Sequence, residues 1–147
     1  MSLFHVFGYQ ITNDAVQAFF DSAVRHLNSG GLFLFDFWYS PSVYSHRPEV
    51  RVKRMTDECA DIIRIAESVL HPNENRVDVH YTIQVCNRNS QQFKTWTEVH
   101  RMRHFSIPEV DLWAERAGFH RINVEEIVTK CPPSEKTWAV FVVLQKL

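Results

Sequence analysis

Apolar residues recur at helical spacing in two stretches of the chain, residues 13–28 and 107–117. The first follows capping side chains at residues 12–14 and places its apolar positions on one face: Val16, Phe20, Ala23, Val24 and Leu27. The second begins with a capping box at residues 106–109 and ends at Gly118. Both patterns predict amphipathic helices that pack one face against a sheet.

Three further segments are predicted as buried strands: residues 31–37, 121–128 and 137–145. The first and the last are apolar on both faces, which is typical of strands that are covered on both sides. Because such runs are common in parallel sheets, we expect the first strand to be parallel to its neighbours. Gly30 and Gly31 separate this strand from the first helix.

A separate antiparallel sheet is predicted between residues 50 and 104. Apolar and polar residues alternate over residues 77–85, which is the period of a strand with one buried and one solvated face. Residues 61–70 and 92–104 flank this strand across polar turns, and residues 50–56 complete a sheet of three or four strands. Prolines at positions 41 and 48 interrupt the chain before the sheet, and we predict no helix there.

Composition favours one domain with a real hydrophobic core, since 147 residues bury enough surface to fold without disulfides or a metal. Lys plus Arg (16) nearly balances Asp plus Glu (17), so we expect no nucleic-acid partner. No apolar run is long enough to span a bilayer and no secretory signal is present, so we expect no membrane partner and a cytoplasmic location. Neither the three cysteines nor the eight histidines show metal-ligand spacing, so we expect no metal site.

Three segments carry a resemblance to a known family. Residues 26–36, His-Leu-Asn-Ser-Gly-Gly-Leu-Phe-Leu-Phe-Asp, are similar to the "LKPGG" stretch that leads into the fifth strand of class I S-adenosylmethionine-dependent methyltransferases. Residues 113–119 resemble the "L..AGF" helix before the sixth strand of that family, and residues 2–6 resemble the end of its fourth strand. The segment from 40 to 104 is similar to the acceptor-side extension of amino-sugar and glycine N-methyltransferases.

This resemblance implies an α/β fold: the C-terminal half of a Rossmann-like methyltransferase sheet with an inserted antiparallel β-sheet. Residues 1–39 and 105–147 would form the partial Rossmann-like core of a single domain, and residues 40–104 would form the inserted sheet on the acceptor side. The implied function is methyl transfer from S-adenosylmethionine to a small-molecule acceptor.

The chain departs from this family in its glycines. It contains only Gly8, Gly30, Gly31 and Gly118, so it has no G-x-G loop that would let the backbone approach the cofactor. We therefore expect weak or absent binding of S-adenosylmethionine by this chain, and no activity of the chain alone. A natural truncation and a cloned fragment are both compatible with the sequence.

Strand ends supply the first candidate site residues. Ligands of doubly wound sheets lie beyond the carboxyl ends of the strands. The resemblance places Phe4 and His5 on the cofactor side and Trp38 and Tyr39 on the acceptor side. The alternative is that the aromatic residues pack in the core beneath the inserted sheet.

The inserted sheet supplies the remaining candidates. Glu98 and His100 share one strand face, so His100 could act as a general base that Glu98 orients. The alternative is an exposed ion pair on a solvated face. Arg51 and His80 are further candidates for substrate binding; a charged strand edge explains Arg51 equally well, and a surface position explains His80.

A second function class stays open at this point. The chain could be a non-enzymatic small-molecule-binding or dimerisation module built on the antiparallel sheet. A doubly wound sheet without its first strands has an unpaired edge and uncovered apolar surface, which leads us to expect a homo-oligomer.

Overall fold

The computed structural model describes all 147 residues, which form three helices and two antiparallel sheets. The helices are α1 (Asn13–Arg25), α2 (Ser40–Ser45) and α3 (Ile107–Arg116). The strands are β1 (Leu32–Trp38), β2 (Arg51–Thr56), β3 (Ala60–His71), β4 (Arg76–Asn87), β5 (Phe93–Arg103), β6 (Phe119–Glu126) and β7 (Ala139–Lys146). One sheet has the order β1-β7-β6 and the other has the order β2-β3-β4-β5.

Both long helices and all the strands predicted from the sequence are present, with ends displaced by a few residues. The antiparallel sheet has four strands, within the predicted three or four. Helix α1 ends at Arg25, earlier than predicted, and Lys146 binds one carbonyl group in its last turn and one just beyond its end. Lys146 Nζ donates to the carbonyl oxygens of Val24 and Leu27 at 2.9 and 2.8 Å.

The expectation of a parallel β1 is wrong for its main pairing. Strand β1 pairs with β7 in antiparallel register from Leu32 opposite Gln145 to Trp38 opposite Ala139. Its one parallel contact is an isolated bridge between Ser2 and Phe35. An apolar run reports that both faces of a strand are covered, and it carries no information about the direction of the neighbouring strand.

The expectation of no helix after β1 is also wrong. Helix α2 starts at Ser40, with Pro41 in its first turn and Val43 fully buried. Proline is tolerated at this position because the first N–H groups of a helix have no partner within the helix. Pro41 therefore begins a short helix rather than breaking one.

The core lies between the three-stranded sheet and the layer formed by α1 and α3. It consists largely of phenylalanine rings from several elements: Phe7, Phe20, Phe33, Phe35, Phe37, Phe105 and Phe119. Phe7 comes from the short 3₁₀ turn Val6–Tyr9, and its ring stacks on that of Phe105 with the centroids 4.2 Å apart.

The chain crosses between the two sheets at two adjacent points, which hydrogen bonds join. Phe105 N–H donates to the Trp38 carbonyl at 3.0 Å, and Ser40 N–H donates to the Phe105 carbonyl at 2.9 Å. The side chains of Ser40 and His104 are hydrogen-bonded at 2.8 Å. This junction holds one face of the four-stranded sheet beside the carboxyl end of β1.

None of the helices is long and apolar enough to cross a lipid bilayer.

Candidate functional site

His5 and Asp36 form a close pair beside the end of β1. Asp36 is only 3% exposed, and both its carboxylate oxygens accept the His5 backbone N–H at 3.2 Å. His5 Nδ1 lies 2.8 Å from Asp36 Oδ2, an ion pair when the ring is protonated. Phe4 and His5 both have left-handed backbone, with φ of 65° and 62°. Such residues cost about 1–3 kcal/mol each and persist only where neighbouring groups hold them, as Asp36 does here.

A cavity of about 410 Å³ opens beside this pair, on the sheet face opposite α1 and α3. Its lining combines the N-terminal segment that contains the strained turn with residues of β1 and β7 and of the end of β6 and the position after it: Leu3, Phe4, His5, Asp36, Glu125, Ile127 and Phe141. Phe4 is 88% exposed and points away from the core. The two cofactor-side candidates, Phe4 and His5, therefore lie together at one cavity.

Trp38 and Tyr39, the two acceptor-side candidates, diverge. The Trp38 ring lies 6.2 Å from the His5 ring and 5.5 Å from the Trp138 ring, centroid to centroid. Tyr39 instead packs against the phenylalanine core, as the alternative interpretation held, and its backbone bridges to Phe105. Successive residues of an extended segment point to opposite sides, so one of the two reaches the open face.

Glu98 and His100 lie on the face of the four-stranded sheet that turns towards Trp38, and a tyrosine joins them. The Tyr9 hydroxyl is 2.6 Å from His100 Nδ1, and His100 Nε2 is 3.3 Å from Glu98 Oε2. The tautomer with the proton on Nε2 satisfies both contacts, because Tyr9 then donates to Nδ1 and Nε2 donates to the carboxylate. The Tyr81 ring meets the His100 ring edge to face at 5.1 Å.

Tyr9 was not predicted as a site residue from the sequence, because it lies in a 3₁₀ turn without periodicity. Burial raises the pKa of Tyr9 above 10.0, and the nearby Tyr81 and Glu98 raise it further, so the hydroxyl keeps its proton at neutral pH. Gly8 brings Tyr9 close to β5. A Cβ at Gly8 would lie 2.9 Å from the Met102 methyl group and 3.1 Å from the Arg103 carbonyl oxygen. A lone glycine before an aromatic residue was the only sequence signal for this contact.

The other two candidates, His80 and Arg51, occupy different faces of the four-stranded sheet. His80 pairs with Val99 and Glu67 on the opposite face of the four-stranded sheet from His100, and it is exposed. The structure therefore does not bring His80 together with the other candidates. Arg51 is exposed on β2 and borders a small cavity beside Trp38 and Tyr81.

No protein-family model matches the chain. A curated relative, the dTDP-3-amino-3,4,6-trideoxy-alpha-D-glucopyranose N,N-dimethyltransferase of Streptomyces venezuelae, is 25% identical over 118 residues, which are 80% of this chain and 48% of that protein. An S-adenosylmethionine-dependent methyltransferase from Clostridium acetobutylicum superposes with a TM-score of 0.80 at 15% identity, covering 99% of this chain and 56% of the other. CalS10, an amino pentose methyltransferase from Micromonospora echinaspora with S-adenosylmethionine bound, gives 0.75 at 18% identity, covering 99% and 57%.

The chain has the α/β fold of these methyltransferase structures, with antiparallel sheets. The resemblance to class I S-adenosylmethionine-dependent methyltransferases, similar to amino-sugar N-methyltransferases, is thus confirmed. S-adenosylmethionine is the cofactor of the two solved relatives. The chain spans about half the length of the curated relative that it matches.

The residues of this chain do not fit the whole cofactor. Gly8 packs against Met102, Gly30 and Gly31 lie in the turn before β1, and Gly118 lies between α3 and β6. None of them forms a loop at the carboxyl end of a strand where backbone could approach a nucleoside. The cavity beside His5 and Phe4 has no glycine cradle.

Proposed function

We propose that this chain is the acceptor-side half of an S-adenosylmethionine-dependent N-methyltransferase that acts on a small molecule bearing an amine. Residues 1–39 and 105–147 supply part of the Rossmann-like core, and residues 40–104 supply the inserted acceptor sheet. The observation that carries the proposal is the hydrogen-bonded row Tyr9–His100–Glu98, which lies at the face of the four-stranded sheet that turns towards Trp38, the aromatic residue beside His5.

The row suits the removal of a proton from an amine. A protonated amine has no lone pair, so a base must take its proton before nitrogen can act as a nucleophile. In this proposal the acceptor nitrogen gives a proton to the Tyr9 oxygen while Tyr9 gives its own proton to His100 Nδ1. Glu98, on Nε2, then stabilises the imidazolium. The chain's contribution is to bind and orient the acceptor and to move this proton.

The proposal predicts opposite results for two ligands in isothermal titration calorimetry. S-adenosylhomocysteine should bind with a Kd weaker than about 1 mM, because the chain has no glycine cradle for the nucleoside. A nucleotide-linked amino sugar should bind measurably, since all the residues proposed to contact the acceptor belong to this chain. Micromolar binding of S-adenosylhomocysteine would disprove the proposed division of the site, and absence of acceptor binding would disprove the acceptor assignment.

The two histidines on opposite sheet faces provide a matched pair for locating the acceptor. Replacing His100 by asparagine should weaken amino-sugar binding by about tenfold, because the row loses its central hydrogen bonds. Replacing His80 by asparagine should leave the affinity unchanged, because His80 faces away from Trp38. The reverse pattern, measured by the same calorimetric titration, would move the acceptor to the outer face and overturn the role given to His100.

We also propose that the chain forms a homodimer through the outer face of the four-stranded sheet. This face carries Val52, Val69 and Val99, each about half exposed. Exposed apolar side chains that share one sheet face are typical of a surface that another protein covers. This feature also favours the second candidate function, a dimerisation module that needs no cofactor.

Light scattering during size-exclusion chromatography should give about twice the chain mass of 17.3 kDa. Replacing Val69 and Val99 together by lysine should return the mass to that of one chain, because two buried charges oppose association. Replacing the exposed Leu112 on α3 by lysine should leave the dimer intact. A parent protein that elutes as a monomer at micromolar concentration would contradict this assembly.

A further inference from the structure

A small cavity lies where the two sheets meet, next to the row Tyr9–His100–Glu98, called the acceptor row below. Its volume is about 120 Å³, and it is bounded by Trp38, Trp138 and Tyr81 over a floor that includes Ala66 and Val79. We infer that this cavity binds the methylated ammonium group of a zwitterionic ligand, with the anionic group of the ligand held at its rim. The inference rests on the proposed function and adds to the acceptor site a neighbouring pocket that specifies the substrate class.

The antiparallel pairing of β1 and β7 creates the aromatic wall. Trp38 lies opposite Ala139, so Trp138 becomes its neighbour although 99 residues separate the two indoles in sequence. Their ring planes meet at 54° with the centroids 5.5 Å apart, which leaves a V-shaped wall. Indole faces carry negative potential and attract cations, and aromatic cages of this kind recognise methylated ammonium groups.

The rim of the cavity carries one charge of each sign. Glu49 and Arg51 both border it and both are exposed. Neither takes part in a salt bridge within the chain. Glu49 can therefore attract an ammonium group and Arg51 a phosphate or carboxylate. A ligand that carries both groups satisfies both side chains, whereas a simple cation leaves Arg51 without a partner.

Tyr81 connects this cavity with the acceptor row. One face of its ring is occupied by the Arg64 guanidinium, 5.3 Å from the ring centroid, so the indoles rather than Tyr81 supply the main cation contact. The same tyrosine meets the His100 ring at 5.1 Å. An ammonium group against the indoles therefore lies one aromatic residue away from the proposed proton acceptor, with the His5 ring beyond Trp38.

Nuclear magnetic resonance of the indole N–H groups tests the inference on the full chain, with choline, phosphocholine and the neutral isostere 3,3-dimethylbutanol as probes. Choline and phosphocholine should shift the Trp38 and Trp138 signals, and those of Trp96 and Trp113, outside the cavity, should not move. The neutral isostere should bind about tenfold more weakly, because it lacks the cationic attraction to the rings. Equal binding of the isostere, or no shift at Trp38 and Trp138, would overturn the inference.

Variants separate the two charges of the rim. Glu49→Gln should weaken the binding of choline by about threefold. Glu58→Gln, at an exposed position outside the cavity, should leave this affinity unchanged. Arg51→Gln should weaken phosphocholine and leave choline unchanged. Trp138→Leu should abolish binding of both choline and phosphocholine. Because Glu49 is exposed, its variant keeps the test decisive even if the change at Trp138 impairs folding. The inference would be overturned if Glu49→Gln left choline binding unchanged and Arg51→Gln left phosphocholine binding unchanged.

This inference and the proposed function can fail separately. Amino-sugar binding that depends on His100 but not on Glu49 or Trp138 would leave the proposed function standing and remove the cage. Choline binding that depends on Glu49, without any binding of an amino-sugar nucleotide, would support an ammonium site and remove the acceptor assignment.

Discussion

Replacing Phe7 by alanine should lower the free energy of unfolding by about 3–5 kcal/mol, the cost of a fully buried phenylalanine. Phe7 is 0% exposed. Its ring is stacked on Phe105 and lies within 6.2 Å of several others, centroid to centroid: Phe19, Phe20, Phe35 and Phe37. Truncation would leave a cavity at the centre of this cluster, and the close packing of β5 against the same turn limits how far the site can collapse. Urea denaturation followed by circular dichroism measures the change.

The same substitution at Phe93 is the matched control. Phe93 begins β5 and is 76% exposed, so its loss should change stability by less than about 0.5 kcal/mol. A similar loss for both variants would mean that Phe7 is not a central core residue. An unchanged midpoint for Phe7→Ala would contradict the packing of the 3₁₀ turn against the core.

The role of Phe7 also shows which kind of contact could not be predicted from the sequence. Long periodic segments such as residues 13–28 and 77–85 specify their elements, because each buries one face along its whole length. The turn Val6–Tyr9 has four residues and no period, yet it supplies a central core ring and the tyrosine that is hydrogen-bonded to His100. Its importance arises from contacts with β5, which lies about ninety residues further along the chain.

Strand pairing limited the prediction of the site in the same way. The alternation within β4 and within β5 correctly showed which residues of each strand share a face. It could not show that His80 and His100 lie on opposite faces, because that depends on the register between the strands, which places Val79 opposite His100. The pairing of β1 with β7 was likewise needed to bring Trp138 beside Trp38.

The resemblance to methyltransferases predicted His5 and Trp38 as site residues, and their rings lie 6.2 Å apart near the end of β1. It did not identify Asp36, whose carboxylate holds the left-handed turn at Phe4 and His5. Sequence reasoning treated Asp36 only as the end of an apolar run. A buried carboxylate inside such a run is costly without partners, and that cost was an available signal that backbone N–H groups would meet it.

Acidification from pH 6.5 to pH 4 should lower the free energy of unfolding by up to about 3 kcal/mol through His104 alone. His104 is 0% exposed at the junction of the two sheets, where its Nδ1 is hydrogen-bonded to Ser40 Oγ and its ring meets Tyr44. Burial, and to a smaller extent the positive charge of Arg103, lowers the pKa of His104 from 6.5 to about 4. Over this range the unfolded chain therefore binds a proton that the folded chain does not. The free energy of unfolding decreases as the pH is lowered and becomes constant below about pH 4.

Urea unfolding at several pH values measures this slope, and substitutions assign it. His104→Gln removes the titrating group, so the variant should lose stability less steeply than the parent between pH 6.5 and 4, whatever its absolute stability. His80→Gln, at an exposed position, should keep the parent slope. The carboxyl groups of Asp57 and Asp61 have pKa values below 3.8 because of hydrogen bonds, so their contribution belongs to the range near and below pH 4. Equal slopes for the parent and His104→Gln would show that this histidine is protonated in the folded protein, and that the junction opens to water far more readily than its burial implies.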